Sequence, residues 1–317
     1  MISVAQTYSV GSIGFDVRGA LKEGIARLRA ADVPSHTLAA ELLLMHALGR
    51  ERAWLYTHSN DSLDSATVEK YFAMIARRAA GEPTQYITGK QEFWGLEFEV
   101  TPAVLIPRPE TEHVVEVALE RLGSSGIKID MATGKPSPQL RFADVCTGTG
   151  CLAVALAHEL PHAELFATDI SVAALQIARR NARRHHVSDR AHFLQTTLLE
   201  ALVHESRVAG EESHIFNLIV GNPPYVAFGE AAMLPREVRE HEPEAALFGG
   251  PTGIEIYPQL ISQAGALLAP GGLLVLELGY NLADQVRRIF YAQPSWANVS
   301  VTKDLAGIPR VIAAERV

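Results

Sequence analysis

Two short segments bring together residue types that could do chemistry. One is Asp144-Val145-Cys146-Thr147-Gly148-Thr149-Gly150-Cys151; the other is Asn222-Pro223-Pro224-Tyr225. In the first, Gly148 and Gly150 remove side chains, so the backbone can turn sharply and approach a ligand closely. A helix opening after such a turn presents free N–H groups. Asp169 follows Gly150 by nineteen residues, at the end of a second apolar run. A carboxylate there can accept both hydroxyl protons of a ribose. Cys146, Thr147, Gly148, Thr149, Gly150 and Asp169 are therefore candidates for holding a nucleoside-containing cofactor. Ala153 stands where a GxGxxG fingerprint has its third glycine, a position that tolerates Ala, so NAD stays open on spacing alone. No Gly-Lys-Ser/Thr is present, which excludes a Walker-type ATP loop.

The second segment has a different logic. Two prolines fix φ, and neither offers a backbone donor. Their carbonyls and the Asn222 side-chain oxygen form an acceptor-rich cradle. Such a cradle suits a planar –NH2 group, whose two protons are held while its nitrogen faces an electrophile. Tyr225 offers a flat face on which an amide or base could stack. Asn222, Pro223, Pro224 and Tyr225 are the candidate catalytic residues.

Other candidates read more simply. His158 and His162 are four apart, but Pro161 ends the helix between them and no metal-site Glu accompanies them; they read as surface histidines, with no metal expected. Arg179, Arg180, Arg183 and Arg184 with His185-His186 form a basic run, read as a solvated helix end, with RNA contact the sharper alternative. Cys146 and Cys151 read as small packers.

These segments need elements to position them. The 317 residues argue for two domains. With 48% hydrophobic and 20% charged residues, wholesale disorder is excluded. The formal charge of −8 disfavours binding by neutralising many phosphates. Two cysteines exclude a disulfide framework and a self-contained zinc site, and suit a reducing cytosol. The N-terminus lacks the pattern of a secretory signal, and Pro270-Gly271-Gly272 breaks the longest apolar stretch, so a cytoplasmic protein without a membrane span is expected.

Residues 1–83 predict a helical domain. Val17, Leu21, Ile25 and Leu28 share one helical face, as do Leu38, Leu42, Met45 and Leu48, with Ser35 as N-cap and Gly49 as the stop. Trp54 and Tyr56 read as core of this bundle. Residues 84–110 predict a hairpin linker around Gly95. Residues 111–317 predict the catalytic domain. Within it, helix follows strand from 140 onward, with strands at 142–145, 164–169, 192–195, 215–221 and 273–278. That alternation predicts an α/β fold with a doubly wound, largely parallel Rossmann-like sheet. Residues 123–139 predict a flexible connection, and 203–214 a polar insertion.

The glycine turn, the acid and Asn-Pro-Pro-Tyr, in this order, resemble class I S-adenosylmethionine-dependent methyltransferases that modify amino or amide nitrogens. More narrowly, the chain resembles the HemK/PrmC family, the protein-(glutamine-N5) methyltransferases of peptide chain release factors. The matching segments include Arg77–Gly89, Phe93-Trp94-Gly95, Val104–Glu112, Glu242–Leu247, Glu277-Leu278-Gly279 and Asp304–Gly307, from about residue 20 to the C-terminus. Leu105-Ile106-Pro107-Arg108-Pro109-Glu110-Thr111-Glu112 is the discriminating stretch, because Asn-Pro-Pro-Tyr is shared with adenine-N6 methyltransferases.

The resemblance implies methyl transfer from S-adenosylmethionine to the glutamine amide of a Gly-Gly-Gln loop, with the helical domain helping to hold the release factor. It adds Leu198 and Asn222 to the cofactor-binding set. The chain departs from the family pattern at Cys146, where Gly is frequent, and at Thr197, where Asp is usual. It departs also at Leu198, where relatives can carry an aromatic; here Leu198 is expected to pack on adenine. Asn217, Thr252 and Ile254 differ as well. Two further readings stand beside this one: an adenine-N6 methyltransferase of nucleic acid, carried by Asn-Pro-Pro-Tyr alone, and a glutamine methyltransferase of a ribosomal protein. A non-catalytic cofactor-binding protein is the bland alternative. A monomer is favoured.

Overall fold

The computed structural model describes residues 14–124, 129–130, 135–136, 140–208 and 216–317. The chain divides into two compact units, Met1–Thr88 and Gly89–Val317, so the hairpin counts with the second unit.

The first unit contains helices α1 (Val17–Ala30), α2 (His36–Leu48), α3 (Arg52–Thr57), α4 (Ser65–Ala79) and α5 (Thr84–Thr88). The Asp16 and Asp64 carboxylates cap α1 and α4 by accepting the Gly19 and Thr67 N–H groups at 2.6 and 2.8 Å, which satisfies donors a helix start otherwise leaves free. Ser35 does not cap α2. It sits at φ 49° with no side-chain hydrogen bond, because a left-handed Ncap turns the hydroxyl away from the first turn. Gly49 ends α2 at φ 63°, as expected. Gly24 lies inside α1 because a Cβ there would come 2.0 Å from the Tyr71 hydroxyl, so the two helices pack through bare backbone. Trp54 is half-buried, but Tyr56 is exposed and donates its hydroxyl to the buried Glu41 carboxylate, which also pairs with Arg52 at 2.8 Å. A phenol that must reach this acid keeps its ring outside the core.

The second unit opens with a hairpin, β1 (Lys90–Phe93) and β2 (Leu96–Glu99). Its two turn residues, Trp94 and Gly95, both have positive φ, as a right-twisted two-residue hairpin demands. Helix α6 (Glu112–Ser124) follows, then the two-residue strands β3 (Ile129–Asp130) and β4 (Lys135–Pro136). The remainder of 125–139 lies outside the described residues.

The main sheet contains β5 (Arg141–Val145), β6 (Glu164–Asp169), β7 (Ala191–Gln195), β8 (Phe216–Gly221), β11 (Leu268–Glu277), β12 (Trp296–Lys303) and β13 (Pro309–Arg316). Between these strands come α7 (Cys151–Glu159), α8 (Val172–Arg184), α9 (Glu200–Val208), α10 (Arg236–His241), α11 (Glu244–Leu247), α12 (Ile256–Leu267) and α13 (Ala283–Tyr291). A short parallel pair, β9 (Val226–Ala227) with β10 (Phe248–Gly250), follows the Pro-Pro loop. The order is β12-β13-β11-β8-β5-β6-β7. Only β13 in this sheet runs against its neighbours. The 203–214 stretch is helical as far as Val208, and 209–215 lie outside the described residues.

Both faces of this sheet are covered. Phe142, Leu218, Val220, Leu273 and Val275 enter one core cluster, and Ala143, Val145, Ile219, Leu274 and Leu276 the other. Period-two alternation between two buried faces is why these strands read as continuous apolar runs. The order reverses between β5 and β8, and the two chemistry-bearing segments follow these adjacent strands. The crevice at that reversal is where an open parallel sheet binds ligands.

Candidate active site

A cavity of ≈ 380 Å³ lies at this reversal. Cys146, Thr147, Gly148, Thr149, Asp169, Leu198, Asn222 and Pro224 line it. Gly150, Pro223 and Tyr225 are not among the lining residues.

The glycine turn is held from three sides. Asp144, fully buried beneath it, accepts the Thr147 hydroxyl at 2.6 Å and the Ala153 N–H at 3.1 Å on one oxygen. Burial pushes its carboxyl up to about 7 against those two hydrogen bonds. The Thr147 N–H reaches the Thr168 carbonyl on β6 at 2.9 Å. Asn181 on α8 donates to the Thr149 carbonyl at 2.9 Å and brackets Glu99 of the hairpin through both its amide atoms. Cys146, Gly148 and Gly150 all have positive φ, at 60°, 55° and 79°. Gly150 works by contact: a Cβ there would meet Ala178 on α8 at 3.1 Å. Gly148 works by space, since nothing comes closer than 4.0 Å to the place its Cβ would occupy.

Asp169 ends β6 as the spacing requires. Its oxygens accept the Gly148 N–H at 2.9 Å and the Ser171 N–H at 2.8 Å. These two bonds aim the carboxylate, and its remaining lone pairs still allow two ribose hydroxyls. Burial raises its pKa above the ordinary carboxylate value. Leu198 has φ 52° and packs against the core beside the cavity. The open space at Gly148, the acid at Asp169 and the apolar wall at Leu198 fit an adenosine-bearing cofactor.

Asn222 follows β8 directly. Its Nδ2 donates to the Thr111 hydroxyl at 3.2 Å. Tyr225 is anchored at its hydroxyl and along one ring edge. Its hydroxyl donates to Glu277 at the end of β11 at 3.0 Å, and its ring lies so close over Gly279 that a Cβ there would meet Cδ2 at 2.8 Å. The tyrosine therefore pins the loop from behind.

The roles of several further contributors appear only in the structure. Glu242, only 5% exposed, accepts Arg108 at 2.5 Å and the Ile106 N–H at 3.2 Å, tying the Leu105–Pro109 loop to Pro243–Leu247 along the cavity wall. Gly249 and Gly253 lie against the Pro224 and Tyr225 carbonyls, where a Cβ would come within 2.4 and 2.2 Å. Glu277 had one signal available, a charge closing an otherwise apolar run, Leu273–Leu276. Thr111 lay in the discriminating Leu105–Glu112 stretch, but its role depends on a contact 111 residues away. The basic run of α8 is engaged with the hairpin: Arg180 pairs with Glu99 at 2.9 Å, and Arg184 pairs with Glu97. His158 and His162 are exposed.

Fold and site together define a methyltransferase built on the class I Rossmann-like sheet. Comparisons with known proteins agree. The hMettl16 catalytic domain, solved with a MAT2A 3′UTR hairpin, shares the fold at a TM-score of 0.52 and 17% identity, covering 76% of this chain and 81% of that one. Residues 19–89 match the PrmC N-terminal domain, and residues 130–237 the methyltransferase small domain. The release factor glutamine methyltransferase of Koribacter versatilis is 42% identical over 300 residues, 95% of this chain and 98% of its own. That of Moorella thermoacetica is 41% identical over the same shares. The chain belongs to the release factor glutamine methyltransferase family.

Proposed function

We propose that this chain transfers a methyl group from S-adenosylmethionine to the side-chain amide nitrogen (N5) of the glutamine in the Gly-Gly-Gln loop of peptide chain release factors. The observation that carries the reading is Asn222: its amide is held by Thr111 at the edge of a cavity that also contains the glycine turn and Asp169. S-adenosylmethionine supplies an electrophilic methyl on a sulfonium. Asp169 would take the ribose hydroxyls, Cys146–Thr149 the amino-acid end through backbone groups, and Leu198 the adenine, with Gly150 shaping the turn.

An amide nitrogen is a poor nucleophile because its lone pair is delocalised into the carbonyl. Asn222 Oδ1 and the Pro223 carbonyl would accept hydrogen bonds from its two N–H groups, which draws electron density toward nitrogen and fixes its direction of approach. Positioning of this kind supplies much of the rate when the electrophile is already strong. The product nitrogen then loses its extra proton to solvent. Pro223, Pro224 and the anchored Tyr225 keep the cradle rigid.

The helical unit would help hold the release factor, and the enzyme would work as a cytoplasmic monomer. Among the described residues no helix is long and apolar enough to cross a membrane. The adenine-N6 reading is not favoured: the charge is −8, and arginines of the α8 basic run are already paired with hairpin acids. The names of the relatives favour a release factor over a ribosomal protein.

The test is transfer from labelled S-adenosylmethionine to purified release factor, with unmethylated duplex DNA in parallel and peptide mapping of the label. Label on the loop glutamine is expected. Asn222→Ala should lower turnover by about 10²–10³ while cofactor affinity stays within a few-fold. Label on DNA adenine instead would overturn the reading.

A further inference from the structure

An in-line transfer needs the two sides of its cavity held in register. Cys146–Thr149 and Asp169 line the side that fits the cofactor. Ala103, Val104, Leu105, Pro107, Arg108 and Thr111 line a second wall, which ends where the Asn222 amide meets the Thr111 hydroxyl at 3.2 Å.

One fully buried carboxamide joins the two sides: Asn181 on α8. Its Nδ2 donates to the Thr149 carbonyl at 2.9 Å and to the Glu99 carbonyl at 3.1 Å, and its Oδ1 accepts the Glu99 N–H at 2.8 Å. All three partners are main-chain groups of fixed polarity, so the amide has one orientation only. Leucine and aspartate share its shape, but leucine makes none of these bonds and an aspartate carboxylate only the one to the Glu99 N–H.

The positions of the two partners give this bond set a consequence for the site. Thr149 belongs to the cofactor turn. Glu99 ends β2, and the chain runs from it directly into the second wall. The far end of that wall is held by Asn222 on Thr111 and by Glu242 on Ile106 and Arg108. Its root is held by Asn181. Other bonds also dock the hairpin on α8, with Arg180 on Glu99 at 2.9 Å and Arg184 on Glu97. What Asn181 adds is the link to the cofactor turn.

We infer that Asn181 is a positioning residue for the transfer: it sets the root of the second wall against the cofactor turn, so that acceptor amide and methyl donor are brought into line. Asn181 is fully buried and is not among the lining residues, so it acts through Glu99 and Thr149. The inference rests on the proposed transfer to a glutamine amide and deepens it.

The experiment uses the full chain and a release factor carrying the unmethylated loop glutamine. The rate of a single turnover is measured with enzyme in excess and S-adenosylmethionine saturating. Calorimetry gives cofactor affinity and the number of cofactor sites per chain, which counts folded protein. Asn181→Ser is one bond shorter and offers one donor for two carbonyls. Its rate per cofactor site should fall about tenfold to a hundredfold, as small displacements at a reacting centre do. Affinities for cofactor and release factor should stay within about threefold, the pattern of an interaction expressed in the transition state. Asn181→Ala, which leaves room for water on the three main-chain groups, is the second variant and should show the same split. Arg180→Ala removes only the surface pair with Glu99 and should keep the rate within about twofold.

A structural role alone would lower the number of cofactor sites and leave the rate per site unchanged. That result, a loss confined to cofactor affinity, or an equal loss of rate in Arg180→Ala would overturn this inference alone. No transfer by the wild type to the loop glutamine would overturn the proposed function, and this inference with it.

Discussion

Cys146 is held at φ 60° in the cofactor turn, a conformation in which Cβ crowds the backbone. It is tolerated because the turn around it is over-determined by the bonds of Thr147, Gly148 and Gly150. A β-branched side chain fits that region worse. Cys146→Val should cost about 1–3 kcal/mol, read as a lower midpoint in urea with an unchanged slope. An unchanged midpoint would show the turn to be unstrained. The residue types here were legible: two glycines, an acid nineteen residues on and an Asn between a strand and two prolines each have a local meaning. Tyr225 was legible as important, but not its anchors. Its ring belongs to Glu277 and Gly279, which lie over fifty residues away.

At the level of elements, the Pro-Pro loop is set by what packs against its carbonyls. Gly249 on β10 lies against the Pro224 carbonyl, and backbone on both sides leaves no flexible atom to give way. Gly249→Ala should therefore displace the loop rather than unfold the sheet. Turnover on release factor should fall by about tenfold to a hundredfold, with S-adenosylmethionine affinity within a few-fold, since small displacements at a reacting centre are costly. Equal losses in both would mean the whole crevice had moved. The strands β5, β6, β7, β8 and β11 and the helices α7, α8 and α12 were legible because each carries an apolar period over several turns or a full strand; α13, β12 and β13 were not read. The short helices α10 and α11 and the pair β9–β10 were not, since four or six residues hold no period and answer to tertiary contacts.

For the whole molecule, folding buries four carboxyl groups whose pKa values are all raised, burial being the largest cause in each: Asp144, Asp169, Glu242 and Glu277. A raised carboxyl binds more protons folded than unfolded. Stability of the cofactor-free protein should thus decrease as pH rises from about 4 to about 7, the interval between the ordinary value and that of Asp144. Asp144→Asn keeps an acceptor for Thr147 and Ala153 but cannot ionise, so its unfolding midpoint should fall less steeply across that interval. Identical slopes would remove Asp144 from the account. Deleting residues 1–88 should leave S-adenosylmethionine binding intact and abolish methylation of intact release factor. Normal turnover by residues 89–317 would show the helical unit to be dispensable for holding the substrate.

The amino-acid sequence by itself determined the order of the strands and helices from residue 140 to 278, their burial on both faces and the identity of the two chemical loops. Each of these is written in local patterns: a period of two or 3.6, a proline that fixes φ, a glycine that permits a turn. Only the tertiary structure decided that these loops share one crevice, that Glu242 ties Arg108 and Ile106 to its wall, and that Glu277 and Thr111 stand behind Asn222 and Tyr225. Those facts depend on hydrogen bonds between residues 52 to 136 positions apart, and a one-dimensional pattern carries no such distances.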